Sequence, residues 1–119
     1  MRKKIKPVSN KNAQHYLWGN NCDGWHLVKS DELSIIQERM PPGTAEVRHY
    51  HERSRQFFFI LSGTALLEAD GEEHILKTHE GLEIPPMVTH KIQNNSDAEL
   101  NFIVVSQPKS HGDRVVVEE

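Results

Sequence analysis

Nowhere in this chain do apolar residues recur at helical spacing for long enough to cover one face of a helix. Instead it offers short runs rich in aromatic and β-branched residues, broken by Gly, Pro and Asn at intervals of roughly 8 to 12 residues. Such runs can bury themselves only against one another, which predicts an all-β sandwich or barrel. The strand candidates are Gly24–Lys29, Leu33–Met40, Glu46–His51, Gln56–Ser62, Thr64–Ala69, Glu72–Lys77, Gly81–Ile84, Thr89–Asn94 and Leu100–Ser106, with Arg114–Glu118 as an edge strand. Pro41-Pro42-Gly43 and Pro85-Pro86 punctuate the chain, and Asp70-Gly71 is a two-residue hairpin signal. Residues 1 to about 22 are polar and aperiodic and read as an irregular arm. The chain thus divides into an arm with the first strand (1–32), a barrel (33–106) and a tail or edge strand (107–119).

A length of 119 residues suits one domain with a modest core. The net charge of −3 comes with both signs scattered, and without a basic block no nucleic-acid partner is expected. The longest apolar run, Phe57–Leu61, is far too short for a membrane helix. The basic start MRKKIK leads into polar PVSNKNAQHY rather than an apolar leader segment, and Cys22 is the single cysteine. The expected location is the cytoplasm.

Eight histidines are unusual for this length. His49 and His51 lie two apart in a strand candidate, so their side chains share a face. Gln56 opens the next strand, and His90 lies in a distant one. Three imidazoles and an oxygen donor suit a divalent transition metal: Fe, Mn, Ni, Co or Zn.

The stretch Gly43-TAEVR-His49-Tyr50-His51-ERSR-Gln56-FFFILS-Gly63 resembles the first motif of the cupin superfamily, with every spacing matched and Gln56 where the family usually has Glu. Pro85, His90 and Asn94 match the second motif. There the two family glycines fall on His79 and Met87, with Gly81 two residues late, so that turn is expected to be built differently. The resemblance implies a double-stranded β-helix, a jelly-roll barrel of the RmlC-like kind, enclosing a pocket. It implies His49, His51, Gln56 and His90 as metal ligands, a small-molecule ligand or substrate, and a homodimer. Three activities fit: a metal-dependent dioxygenase or other oxidoreductase on a small anionic molecule, a non-catalytic binding or sensor protein, and a metal-assisted sugar or keto-acid isomerase or lyase.

Gln56 bears on the choice. A neutral amide leaves the ion its full charge but cannot serve as a base. Any base must come from elsewhere; Glu38, Glu46 and Glu52 are near in sequence, without a predicted place in the pocket. Tyr16, Trp18 and Trp25 are expected in core or interface packing. Phe57 and Phe59 imply a sheet apolar on both faces. His26 reads as an ordinary strand residue, and His15, His74, His79 and His111 as surface residues. The segment PKSHGDR reads as a loop without chemistry.

Overall fold

The computed structural model describes residues 4–117, and among these there is no helix. The strands are β1 (Gln14–Trp18), β2 (Cys22–Lys29), β3 (Ser34–Met40), β4 (His49–His51), β5 (Arg55–Ser62), β6 (Ala65–Ala69), β7 (Glu72–Leu76), β8 (Gly81–Ile84), β9 (His90–Gln93), β10 (Leu100–Gln107) and β11 (Arg114–Val116). They form a six-stranded sheet, β1-β2-β3-β10-β5-β8, and a five-stranded sheet, β11-β4-β9-β6-β7. Every pairing is antiparallel. This is the expected all-β jelly-roll, the double-stranded β-helix.

Alternation builds the core. On β5, Gln56, Phe58 and Ile60 are buried; on β10, Leu100, Phe102, Val104 and Ser106 are. The register sets Gln56 beside Ser106 and Phe58 beside Val104. Leu67, Ile84, Ile92 and Met40 complete the apolar centre. The opposite faces of the same strands carry Phe57, 41% exposed, and a half-buried Phe59.

Three expectations need correction. The N-terminal region is not irregular throughout: Gln14–Trp18 is a strand paired to β2, which itself begins at Cys22. The strand expected over 46–51 shrinks to His49–His51. Glu46 explains why: its carboxylate accepts the backbone N–H of Ile92 at 3.0 Å, which a strand carbonyl would otherwise take. The edge strand reaches only Val116, and Glu118 lies outside the described residues.

The turn near the second motif is a further correction. His79 and Met87 stand at left-handed φ of 67° and 71°. Both positions keep the backbone conformation that glycine adopts freely, although neither is glycine. Gly63 must be glycine: φ is +88°, and a Cβ there would lie 2.5 Å from the backbone oxygen of Glu99.

Candidate metal centre

His49 and His51 point inward from β4 while Tyr50 points away, as a strand demands. His90, the first residue of β9, stands directly opposite His49 in the register. On its other side His90 faces Ala69, whose small side chain leaves the imidazole room. Ring centroids of His49 and His90 are 4.4 Å apart, His49 and His51 4.9 Å, His51 and His90 5.7 Å. One nitrogen of each ring lies within 4.8 Å of the others, so the three buried histidines can hold a metal ion.

Two of the rings have fixed tautomers. Nδ1 of His49 donates to the carbonyl of Val47 (2.8 Å), and Nδ1 of His90 to that of Val88 (2.9 Å). A carbonyl only accepts, so Nδ1 carries the proton and Nε2 is a bare lone pair. Nδ1 of His51 is buried without a well-aligned partner, with the backbone of Asp113 beside it. Burial pulls the pKa of His49 down to about 3 and of His90 to about 4, and nearby imidazoles and Arg114 add to the effect against the backbone carbonyls. Burial likewise lowers His51. All three are therefore neutral near pH 7, the form that ligates metals.

Gln56 reaches the group from the other sheet. Its Oε1 is 3.1 Å from Nε2 of His90, and its Nε2 donates to Oγ of Ser106 at 3.0 Å. A cavity of about 350 Å³ is lined by Gln56, His49 and His51. Glu38 and Glu46 line it, with Tyr16, Trp18, Phe58 and Arg114. Burial pushes Glu38 up to about 7 against the pull of Tyr16 and Arg114. Burial, then the charge of Glu38, pushes Glu46 to about 8. The Tyr16 hydroxyl donates to Oε2 of Glu38 at 3.1 Å. Gly24 permits that bond: Tyr16, Gly24 and Glu38 lie in one row across β1, β2 and β3, and any Cβ on Gly24 would collide with the Tyr16 ring.

The cupin domain family model matches residues 36–106. The chain belongs to the cupin family. It is 30% identical over 94 residues to an uncharacterized protein of Methanocaldococcus jannaschii, covering 78% of this chain and 75% of that one. It is 32% identical over 69 residues to the polyketide synthase CurC of Streptomyces cyaneus, covering 58% of this chain but only 45% of the relative. Among solved structures, the polyketide cyclase RemF from Streptomyces resistomycificus superposes with a TM-score of 0.82 at 16% identity, over 98% of this chain and 87% of that one. At that identity the likeness is one of fold.

Several residues of this cupin's cavity escape a reading of its sequence. Tyr16 and Trp18 line the cavity rather than packing only in a core or interface, whereas Trp25 packs on His15 at 5.4 Å. His111 is no plain surface residue: with Ser110 and Gly112 it lines the cavity, and its ring lies 5.5 Å from His26. The PKSHGDR segment therefore takes part in the site. Glu52 is exposed and does not line the cavity. Strand alternation offered a signal for Glu38, which follows Ser34 and Ile36 in the inward row of β3. The glycine in the middle of β2 was the signal for Tyr16.

Proposed function

We propose that this protein is a metal-dependent enzyme that moves a proton next to a carbonyl of a small, anionic, oxygen-rich molecule, with His49, His51, His90 and Gln56 as the metal-binding residues. The observation that carries this reading is the pair Glu38 and Glu46 lining the same cavity as His49, His51 and Gln56. A carboxyl group with a pKa near neutrality both takes and returns a proton at pH 7. These two supply the base that Gln56 cannot. When bound, a divalent ion of the Fe, Mn, Ni, Co or Zn class supplies Lewis acidity to a carbonyl oxygen. Glu38, whose carboxylate accepts the Tyr16 hydroxyl, receives the proton. Glu46, largely protonated at pH 7 and anchored at one carboxylate oxygen by Ile92 N–H, gives its own proton back to the substrate, and the two groups regain their starting states by proton exchange with solvent. Arg114 lends positive charge that favours an anionic substrate, and Phe58, Val104, Ile36 and Trp18 form an apolar wall that limits water. The polyketide proteins among the similar ones support a carbonyl-bearing substrate.

Two measurements test this. Untagged protein analysed for metals is expected to carry close to one transition metal per chain, lost in His51→Ala. The loaded protein in D2O is then given pyruvate or acetylacetone, and deuterium entry next to the carbonyl is followed by NMR. Exchange that falls at least tenfold in Glu46→Gln supports the reading; exchange unaffected by Glu38→Gln and Glu46→Gln sinks it. An oxidative reading, a dioxygenase on a chelating enolate, draws support from the absence of a carboxylate among the four donors. Oxygen uptake with the same probes distinguishes it.

We also propose a homodimer in which a second copy covers the outer face of the six-stranded sheet. Phe57 and Phe59 continue there into Val105 and Ile103, and Val105 and Ile103 into Ile35 and Gln37. Sedimentation of Phe57→Glu as a monomer, with wild type as a dimer, is the expected result.

A further inference from the structure

The turn between β4 and β5 carries the chain from His51, in one sheet, to Gln56, in the other. Its shape therefore sets how a donor from each sheet meets at the site. Among the described residues, no backbone–backbone hydrogen bond ties residues 52–54 together. The turn is held from outside. The carboxylate of Asp113 accepts three successive backbone N–H groups: Glu52 at 3.2 Å, Arg53 at 3.0 Å and Ser54 at 2.8 Å. The hydroxyl of Ser54, itself buried, donates to the carbonyl of Pro108 at 2.7 Å.

The C-terminal segment brings Asp113 there by strand pairing. β11 begins at the next residue and lies alongside β4, with Arg114 opposite His51 and Val116 opposite His49. The arrangement answers a specific need. His49 and His90 are each oriented by the carbonyl two residues before them, and His51 is not. What lies beside the His51 ring is Asp113. A ring of three amides around one anion is also a strong, charge-assisted contact.

We propose that Asp113 is a positioning residue of the metal centre: by gathering the amides of residues 52–54 it fixes the turn that sets His51 against Gln56. This rests on the metal-binding reading above. It makes the segment 108–116 part of the site rather than a tail.

The test uses the full chain and Co(II) alone as the probe. Wild type, Asp113→Asn, Asp113→Ala and, as a control of equal charge change on a remote exposed turn, Asp97→Asn are stripped of metal. Amide exchange at residues 52–54 is measured first in the metal-free proteins, and each is then titrated with Co(II) against a chelator while its visible spectrum is recorded. The expected result is at least tenfold faster exchange at these amides and Co(II) affinity weakened by about 10- to 100-fold in Asp113→Asn, with an altered spectrum and no change in Asp97→Asn. If Asp113→Ala fails to fold, Asp113→Asn, near-isosteric, and Ser54→Ala, which cuts only the link to Pro108, carry the comparison. Faster exchange with wild-type Co(II) affinity and spectrum overturns the proposal, as does unchanged exchange. Failure of the wild type itself to bind Co(II) overturns instead the metal reading on which it rests.

Discussion

Oε1 of Gln56 and Nε2 of His90 face each other at 3.1 Å, and neither has a proton to give. The Nδ1 proton of His90 is committed to Val88, and burial keeps the ring neutral. Two lone pairs held this close need a positive centre between them, or else the amide must turn so that its NH2 faces His90 and its oxygen accepts from Ser106. The two orientations compete for the same nitrogen, so whatever fixes the Gln56 amide decides whether His90 is free to bind metal.

Gln56→Glu removes the choice, because a carboxylate has no donor end. It should tighten binding of Zn(II) or Co(II) by at least about tenfold, or about 1.4 kcal/mol, and raise the pKa of His90 in the metal-free protein. Chelator competition and NMR titration of the imidazole measure the two. An affinity equal to that of wild type would show that Gln56 stands outside the ligand set.

The stability of the metal-free protein should depend on pH in two opposite ways. Glu38 and Glu46 titrate at about 7 and 8 when folded, above the ordinary 4.5. Their contribution is fully present below pH 4.5 and is lost as pH rises through 7 and 8. His49 and His90 titrate at about 3 and 4, below the ordinary 6.5. Theirs is present above 6.5 and is lost as pH falls through 4 and 3. The double variant Glu38→Gln/Glu46→Gln should therefore gain several degrees in Tm on wild type at pH 8.5 relative to the difference at pH 5.5. Thermal melts at the two pH values check this; an equal difference at both would contradict the assigned burial.

Gly24→Ala should act on Glu38, its partner on the next strand, by way of Tyr16. The new methyl would displace the Tyr16 ring and break its hydrogen bond to Glu38. Loss of that bond removes a contact that favours the carboxylate, so Glu38 should titrate higher still. Tyr16→Phe should reproduce the change without the clash. Carboxyl NMR shifts against pH report it, and a profile matching wild type in both variants would remove Tyr16 from the account.

Met87→Gly should stabilise the protein. A left-handed φ costs an L residue roughly 1–2 kcal/mol, the side chain is 60% exposed and has little packing to lose, and glycine's extra chain entropy takes back part of the gain. The net expectation is about 0.5 kcal/mol, or a Tm rise of about 2–4 °C. His79→Gly should gain less, because His79 stacks on Phe59 at 6.1 Å. Denaturant melts of both variants decide the order.

The barrel strands were legible because their side chains alternate and their turns are punctuated. β5 and β10, with Phe58 and Val104 facing inward and Phe57 and Val105 outward, follow that rule up to the register shift at Asn101/Phe102. The histidine group was legible for the same reason: His49 and His51 share a face, and the spacing to His90 fits a known pattern. What the sequence hid lies where side chains replace backbone. Glu46 ended a predicted strand by taking a ladder N–H itself. Asp113, in a segment with no periodicity, acts through amides some 60 residues away. β1 was missed because only Tyr16 and Trp18 face inward, and each is only half-buried, so the alternation is too short to mark a strand. His79 and Met87 show the limit of reading turns by glycine: the backbone kept its shape when the residue changed.

The cavity has two kinds of construction. Its floor, His49, His51 and Gln56, is carried by strands of the fold's first motif, where any shift disturbs the core. Its rim is carried by the outermost parts of the sheets: β1 with Tyr16 and Trp18 at one edge, and the stretch leading into β11 with Ser110 and His111 at another. Edges tolerate insertion, deletion and exchange where centres do not. A descendant of this chain could therefore change what it recognises by rewriting Trp18, Ser110 and His111 on these two borders, provided that Tyr16 and Asp113 stay to serve the chemistry.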